Sequence, residues 1–183
     1  GNVQYDDQFE IPTLAEVITL AKEQSEKTGR TIHLYPETKH PTYFQSIGLP
    51  MEDKLIATLQ ANDFTAEEAT VFIQSFEVAN LKELRTKIGS SQPKWKLVQL
   101  IDQATKKPYD FVAAGDSRTY ADLLTQAGIQ EIAAYAHGLG PYKLNLINVD
   151  SAGAFQPATD VIRHAHDVGL LVHTWTFRPE NTF

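Results

Sequence analysis

A chain of 183 residues, 42% of them hydrophobic, is long enough to bury one sizeable core, and it reads as a single domain over 1–183. Its formal net charge of −7 speaks against nucleic acid and against an anionic membrane surface as partners; it leaves open a phosphate-bearing small molecule in a cleft whose local charge differs. Cysteine is absent, which excludes a disulfide framework and thiolate chemistry, and no apolar run approaches the roughly 18 residues of a membrane span, so no stable membrane insertion is expected.

The chain opens in Gly1-Asn2-Val3-Gln4-Tyr5-Asp6-Asp7, a polar, turn-like stretch without the basic region and apolar run of a signal peptide. Thr13 followed by Glu16 has the form of a helix capping box, and Leu14, Val17, Ile18 and Ala21 then repeat at helical spacing up to Gly29. A short buried strand is expected over 31–35, a second amphipathic helix over 51–61, and a strand over 71–76 rich in β-branched and aromatic residues. A helix over 80–88 closes on Gly89, and the next strand covers 96–101. A long loop over 102–117 precedes helical stretches at 120–125 and 129–135. His137-Gly138-Leu139-Gly140-Pro141 reads as a short strand ending in a glycine-rich turn. A helix over 156–168 closes on Gly169, and the last strand runs over 170–177. The final Pro179-Glu180-Asn181-Thr182-Phe183 follows so soon that both ends look cut.

Alternating helices and strands without a sequence repeat predict α/β with a parallel sheet. Five strands fit either an open doubly wound sheet or part of an eight-stranded barrel, since a full barrel takes about 250 residues. In both architectures the sites lie at the carboxyl ends of the strands.

Several candidates gather at such ends. Glu37 and Lys39 follow the first expected strand and, two apart in an extended segment, project the same way. They could present a metal ligand beside an anion partner, or simply form a surface ion pair. Gln74 and Phe76 share one face of the second strand, and His173 and Trp175 share one face of the last. Together these supply an oxygen ligand, a cation, an amide and two aromatic walls, although aromatics are also ordinary core residues. His164 and His166 sit two apart on a helix and so do not face each other. Gly138-Leu139-Gly140-Pro141 is too short for a dinucleotide fingerprint, and neither a Gly-x-Ser-x-Gly elbow nor a P-loop occurs.

These segments resemble the glycerophosphodiester phosphodiesterases, above all the secreted or periplasmic bacterial branch. Ile11-Pro12-Thr13-Leu14 with Glu16-Val17 is similar to a helix start of that family, and Tyr35-Pro36-Glu37-Thr38-Lys39-His40-Pro41 to its metal-carboxylate strand. Ile73-Gln74-Ser75-Phe76, Leu97-Val98-Gln99-Leu100-Ile101, Gly138-Leu139-Gly140-Pro141 and Leu171-Val172-His173-Thr174-Trp175-Thr176-Phe177-Arg178 match its later strands in order and spacing.

The resemblance implies a TIM-type (β/α)8 barrel, present here as a partial barrel of about five of eight βα units. It implies hydrolysis of a small-molecule glycerophosphodiester to sn-glycerol 3-phosphate and an alcohol, with Ca²⁺ or Mg²⁺ held by three carboxylates. Glu37 matches one of those metal ligands, and Lys39 matches the basic catalytic residue that contacts the phosphate. Phe76 and Trp175 match aromatic positions lining the substrate mouth, and Gln74 and His173 are placed with them as substrate-binding residues. A periplasmic or secreted location follows from the same branch.

The chain departs from the family pattern upstream of Ile11, where neither the His-Arg motif nor the Glu-x-Asp pair is present; nor does the Thr-Asp strand follow. None of His33, His40, His137 or His173 stands where the family's catalytic histidines do. The chain is therefore expected to be an internal piece that is inactive alone, with open barrel edges favouring self-association. Two other readings are a non-catalytic module that keeps a sugar-phosphate pocket, and a different metal-dependent barrel hydrolase.

Overall fold

The structure is a computed structural model that describes residues 3–62 and 69–177. Helix α1 (Leu14–Thr28) starts as its sequence dictates. Thr13 N donates to Glu16 Oε2 at 2.7 Å and Glu16 N donates to Thr13 Oγ1 at 3.3 Å, so a capping box satisfies two of the helix's orphan donors. Gly29, at φ +64°, ends it in the left-handed region. Helix α1 turns Ile18 and Ala21 into the core; α3 (Glu52–Ala61) adds Leu55 and Leu59.

Four strands form one parallel sheet: β1 (Val71–Ser75), β2 (Trp95–Ile101), β3 (Gly138–Pro141) and β4 (Leu171–Val172), each beside its predecessor. Helix α4 (Val78–Ile88) connects the first pair, and α5 (Tyr109–Ala114), α6 (Tyr120–Leu123) and α7 (Gln126–Ala133) the second. Helix α8 (Val161–Asp167) connects the third. Strand order thus follows chain order with no reversal. That is how a barrel wall is built, whereas a doubly wound sheet changes direction at a switch point.

Alternation divides the sheet. Val71, Ile73, Leu97, Ile101 and Leu139 pack into the core against helix residues such as Leu81, Leu84, Ile129 and Ile132. The opposite face carries Phe72, Gln74, Val98 and Leu100.

Of the expected first strand, 31–35, only Leu34 is paired, in an isolated parallel bridge to Val71, and a second such bridge, Glu37↔Gln74, follows just beyond it. Phe72 N donates to Leu34 O at 2.9 Å, Gln74 N to Pro36 O at 3.0 Å and Thr38 N to Gln74 O at 3.0 Å. The bond that this alternation would take from residue 36 is missing because Pro36 has no N–H. The last strand shortens for the same reason. His173 N donates to Leu139 O and Trp175 N to Pro141 O, but Pro141 has no donor to return, so regular pairing ends at Val172 and resumes as the Tyr142↔Trp175 bridge.

Three further expectations are corrected. The loop over 102–117 contains α5, between Pro108 and Gly115 at φ +70°. Pro41 starts an unexpected helix, α2 (Pro41–Ser46). The helix expected over 156–168 begins only at Val161; residues 156–160 lead into it without helix, after a loop closed by the Val149↔Phe155 bridge. Arg178 and the residues after it lie outside the described residues.

Candidate functional site

The segment of bridges and the four strands bring their carboxyl ends to one rim. There Glu37, Gln74, Phe76, Leu100, Trp175 and Thr176 line a hollow of about 300 Å³. Four of the six expected site residues are therefore neighbours.

Each is placed by a local cause. Glu37 is set opposite Gln74 by the bonds on either side of it, Pro36 O to Gln74 N and Gln74 O to Thr38 N. Phe76 leaves β1 on the same face as Gln74, its carbonyl accepting from Tyr120 Oη and Gln99 Nε2, both at 3.2 Å. Trp175 is pinned by its indole, which donates to Gly140 O at 2.9 Å, and by Tyr142, whose ring lies 5.1 Å from it between centroids. Gly140 matters here: a Cβ at that position would stand 2.7 Å from Leu100 Cδ2. Its absence lets Leu100 form the floor of the hollow.

Glu37 and Lys39 do not pair. Neither side chain makes a hydrogen bond or ion pair with another described residue, so the surface salt bridge that spacing alone allowed is not formed. Lys39 is exposed at the same strand end, outside the lining of the hollow. Both side chains are exposed.

His173 lies on the face its parity gave it, against Phe72, but deeper than Trp175. It sits a layer below the hollow, its Nδ1 2.8 Å from Tyr35 Oη and its ring 4.9 Å from Phe72. Burial pushes its pKa below the usual histidine value and raises that of Tyr35 to about 12, so this pair is neutral at neutral pH.

Sequence reading missed Leu100, Thr176 and Tyr142. Leu100 was accessible in principle, since it shares the parity of Val98 and follows it toward the strand end; Thr176 and Tyr142 lie beyond regular strand, where parity gives no guide. It also missed Thr38, Glu52, Ser75, Glu77 and Asn80, which form a buried polar group directly behind Glu37 and Lys39.

Whether a divalent cation fits can be tested on the donors. Ca²⁺ takes six to eight oxygen ligands and Mg²⁺ six. Among the described residues no group of three or more His, Asp or Glu is placed to hold a metal, and Glu37 is the carboxylate that lines the hollow. The residues present fit one ligand of such a site, not a whole one.

The sequence of residues 2–183 matches the model of the glycerophosphoryl diester phosphodiesterase family. A glycerophosphodiester phosphodiesterase of Arabidopsis thaliana is 30% identical over 192 aligned positions, covering 98% of this chain and 48% of that protein. One from Bacillus subtilis is 31% identical, covering 94% of this chain and 46% of its own length. The chain thus spans about half the length of the curated relatives it matches. In fold, it superposes with a TM-score of 0.59 on the crystal structure of a candidate glycerophosphoryl diester phosphodiesterase from Silicibacter pomeroyi. That likeness has 20% identity and covers 92% of this chain and 47% of the other. With consecutive parallel strands on one side and its sequence match over nearly every residue on the other, the chain is part of a TIM-type barrel and belongs to the glycerophosphoryl diester phosphodiesterase family.

Proposed function

We propose that the chain forms part of the catalytic mouth of an enzyme that hydrolyses glycerophosphodiesters to sn-glycerol 3-phosphate and an alcohol. The observation that carries this is the convergence of Glu37, Gln74, Phe76 and Trp175 on one hollow, with Glu37 and Lys39 both left without an ion-pair partner among the described residues. Glu37 would supply one oxygen ligand to Ca²⁺ or Mg²⁺, an ion that would polarise a phosphoryl oxygen. Lys39 draws the phosphate by charge and offsets the negative charge that grows on it during hydrolysis. Gln74 offers an amide to hydroxyls of the glycerol, and Phe76 and Trp175 wall the hollow with apolar surface that excludes water.

Titrating sn-glycerol 3-phosphate into the isotope-labelled chain, with millimolar Ca²⁺, tests this reading by NMR. Perturbation is expected at residues 37–39, 74–76 and 175–176, lost on Lys39→Ala and weakened on Glu37→Gln. A response elsewhere, or one indifferent to both substitutions, sinks the proposal. Glycerophosphocholine turnover by this chain is expected to stay at the rate without enzyme, because Glu37 alone leaves most ligand positions of the ion unfilled. Turnover lost on Glu37→Gln would instead show the site to be complete. Phosphate-ester binding indifferent to metal, without turnover, would favour a non-catalytic binding module.

A further inference from the structure

Thr38 lies between Glu37 and Lys39, and alternation turns it to the opposite side, into the protein. Its Oγ1 donates to Asn80 Oδ1 at 2.6 Å, in preference to the more distant Gln74 O at 3.4 Å. Asn80 Nδ2 in turn donates to Glu52 Oε1 at 2.6 Å. Glu52 also accepts from Gln45 Nε2 at 2.8 Å and Met51 N at 3.1 Å. Thr38, Asn80 and Glu52 are only 4, 2 and 1% exposed. On the other side Thr38 O accepts from Ser75 Oγ at 3.2 Å. Past Lys39, buried Glu77 accepts from Thr42 N at 3.0 Å and lies 3.5 Å from His40 Nδ1.

The direction of these bonds is determined. Glu52 accepts from the Met51 N–H, and a carboxylate has only acceptors to offer, which fixes the Asn80 amide nitrogen toward it and the amide oxygen toward Thr38. The Thr38 hydroxyl must then donate. Burying such groups is a poor route to stability, because apolar side chains of similar volume commonly serve as well or better. What a fully satisfied polar network does provide is one defined geometry. Here that geometry is delivered to the residue between Glu37 and Lys39.

We propose that Asn80 and Glu52, acting through Thr38, are positioning residues that fix the direction in which Glu37 and Lys39 leave the sheet. The proposal rests on the function assigned above to those two residues. The bonds at stake are Thr38 N to Gln74 O and Gln74 N to Pro36 O, which hold Glu37 opposite Gln74.

Amide hydrogen exchange on the 183-residue chain, with Thr38→Val, Thr38→Ser and Glu52→Gln, tests this. Thr38→Val keeps the shape and removes the hydroxyl. It is expected to speed exchange at amides 38 and 74 about tenfold while those of Leu97 and Leu139 stay within about twofold. Thr38→Ser restores protection, and Glu52→Gln, which keeps one acceptor oxygen, loosens the same two amides by about threefold. Unchanged exchange at both positions, or a parallel rise through the sheet, overturns the proposal. Should Thr38→Val fail to fold, Glu52→Gln against wild type decides by the same criterion. Exchange needs neither ion nor substrate, so the two readings fail separately. Local loosening with no response of wild type to sn-glycerol 3-phosphate keeps the positioning network and removes the assigned function. If both hold, Thr38→Val also weakens the response at Lys39, and Thr38→Ser recovers it.

Discussion

Trp175 stands edge-on to Phe76, ring centroids 5.8 Å apart and planes at 90°. The two come from the first and last strands of the sheet, one just after β1 and the other after β4, so their contact spans the hollow rather than lining one strand. An edge-to-face pair contributes about 0.5–1.5 kcal/mol beyond its buried area. Phe76→Leu is expected to lower unfolding free energy by about 1 kcal/mol and to move Trp175 emission to longer wavelength as water reaches the indole. Trp95 is buried elsewhere, at the start of β2, and supplies an unshifted reference. Emission unchanged by Phe76→Leu would mean that the wall does not depend on this pair.

His137 gives the chain a built-in acid sensitivity at the far end of the sheet. Its Nδ1 accepts from Leu97 N at 3.0 Å, a bond that protonation of the ring abolishes, and Arg85 and Lys96 lie close by. Burial first, then these two cations, hold its pKa down to about 4 from a usual 6.5. The folded state keeps the ring neutral while the unfolded chain takes up a proton below 6.5. The contribution to stability is therefore complete above pH 6.5 and is lost as pH falls from there to about 4. His137→Asn places an acceptor near Leu97 N but cannot titrate. Urea denaturation should show the wild type losing on the order of 2 kcal/mol more than this variant across that window, less than the full shift would give because the ring is partly exposed. Equal acid limbs would refute it.

The sequence carried the fold where periodicity was long enough to read. The capping box at Thr13, the apolar stripe of α1, and the β-branched runs of β1 and β2 all stand where they were expected. Helices α2 and α5 escaped because six residues hold fewer than two turns, too few for an apolar stripe to show. The shortening of the outer strands was written at Pro36 and Pro141, but a missing donor matters only once the register is known. At the site, parity put Gln74 with Phe76 correctly, yet it could not say how deep His173 would sit. The network behind Thr38 was invisible for a different reason. Glu52, Asn80 and Thr38 are 14 to 42 residues apart, as 38 to 52 and 38 to 80, and only tertiary structure makes them neighbours.

Gly140 tests how tightly the hollow's floor is packed. A Cβ there would meet Leu100 Cδ2 at 2.7 Å, Val98 Cγ1 at 3.3 Å and His173 O at 3.4 Å. The first of these is the end of a flexible side chain, so Gly140→Ala is accommodated by turning Leu100, which is otherwise 4% exposed, out of its place. The expected loss is about 1–3 kcal/mol, typical of overpacking a filled site. Leu100→Ala opens a void and is destabilising too, by roughly 2–5 kcal/mol. Combined, the two should lose about 1 kcal/mol or more less than their sum, because removing Leu100 removes the obstacle that the new methyl meets. Urea unfolding of the four proteins in this cycle measures the coupling directly. Strict additivity would place the strain of Gly140→Ala on the backbone at His173, just past β4, instead, and the floor of the hollow would then owe its shape to strand spacing rather than to the fit between these two residues.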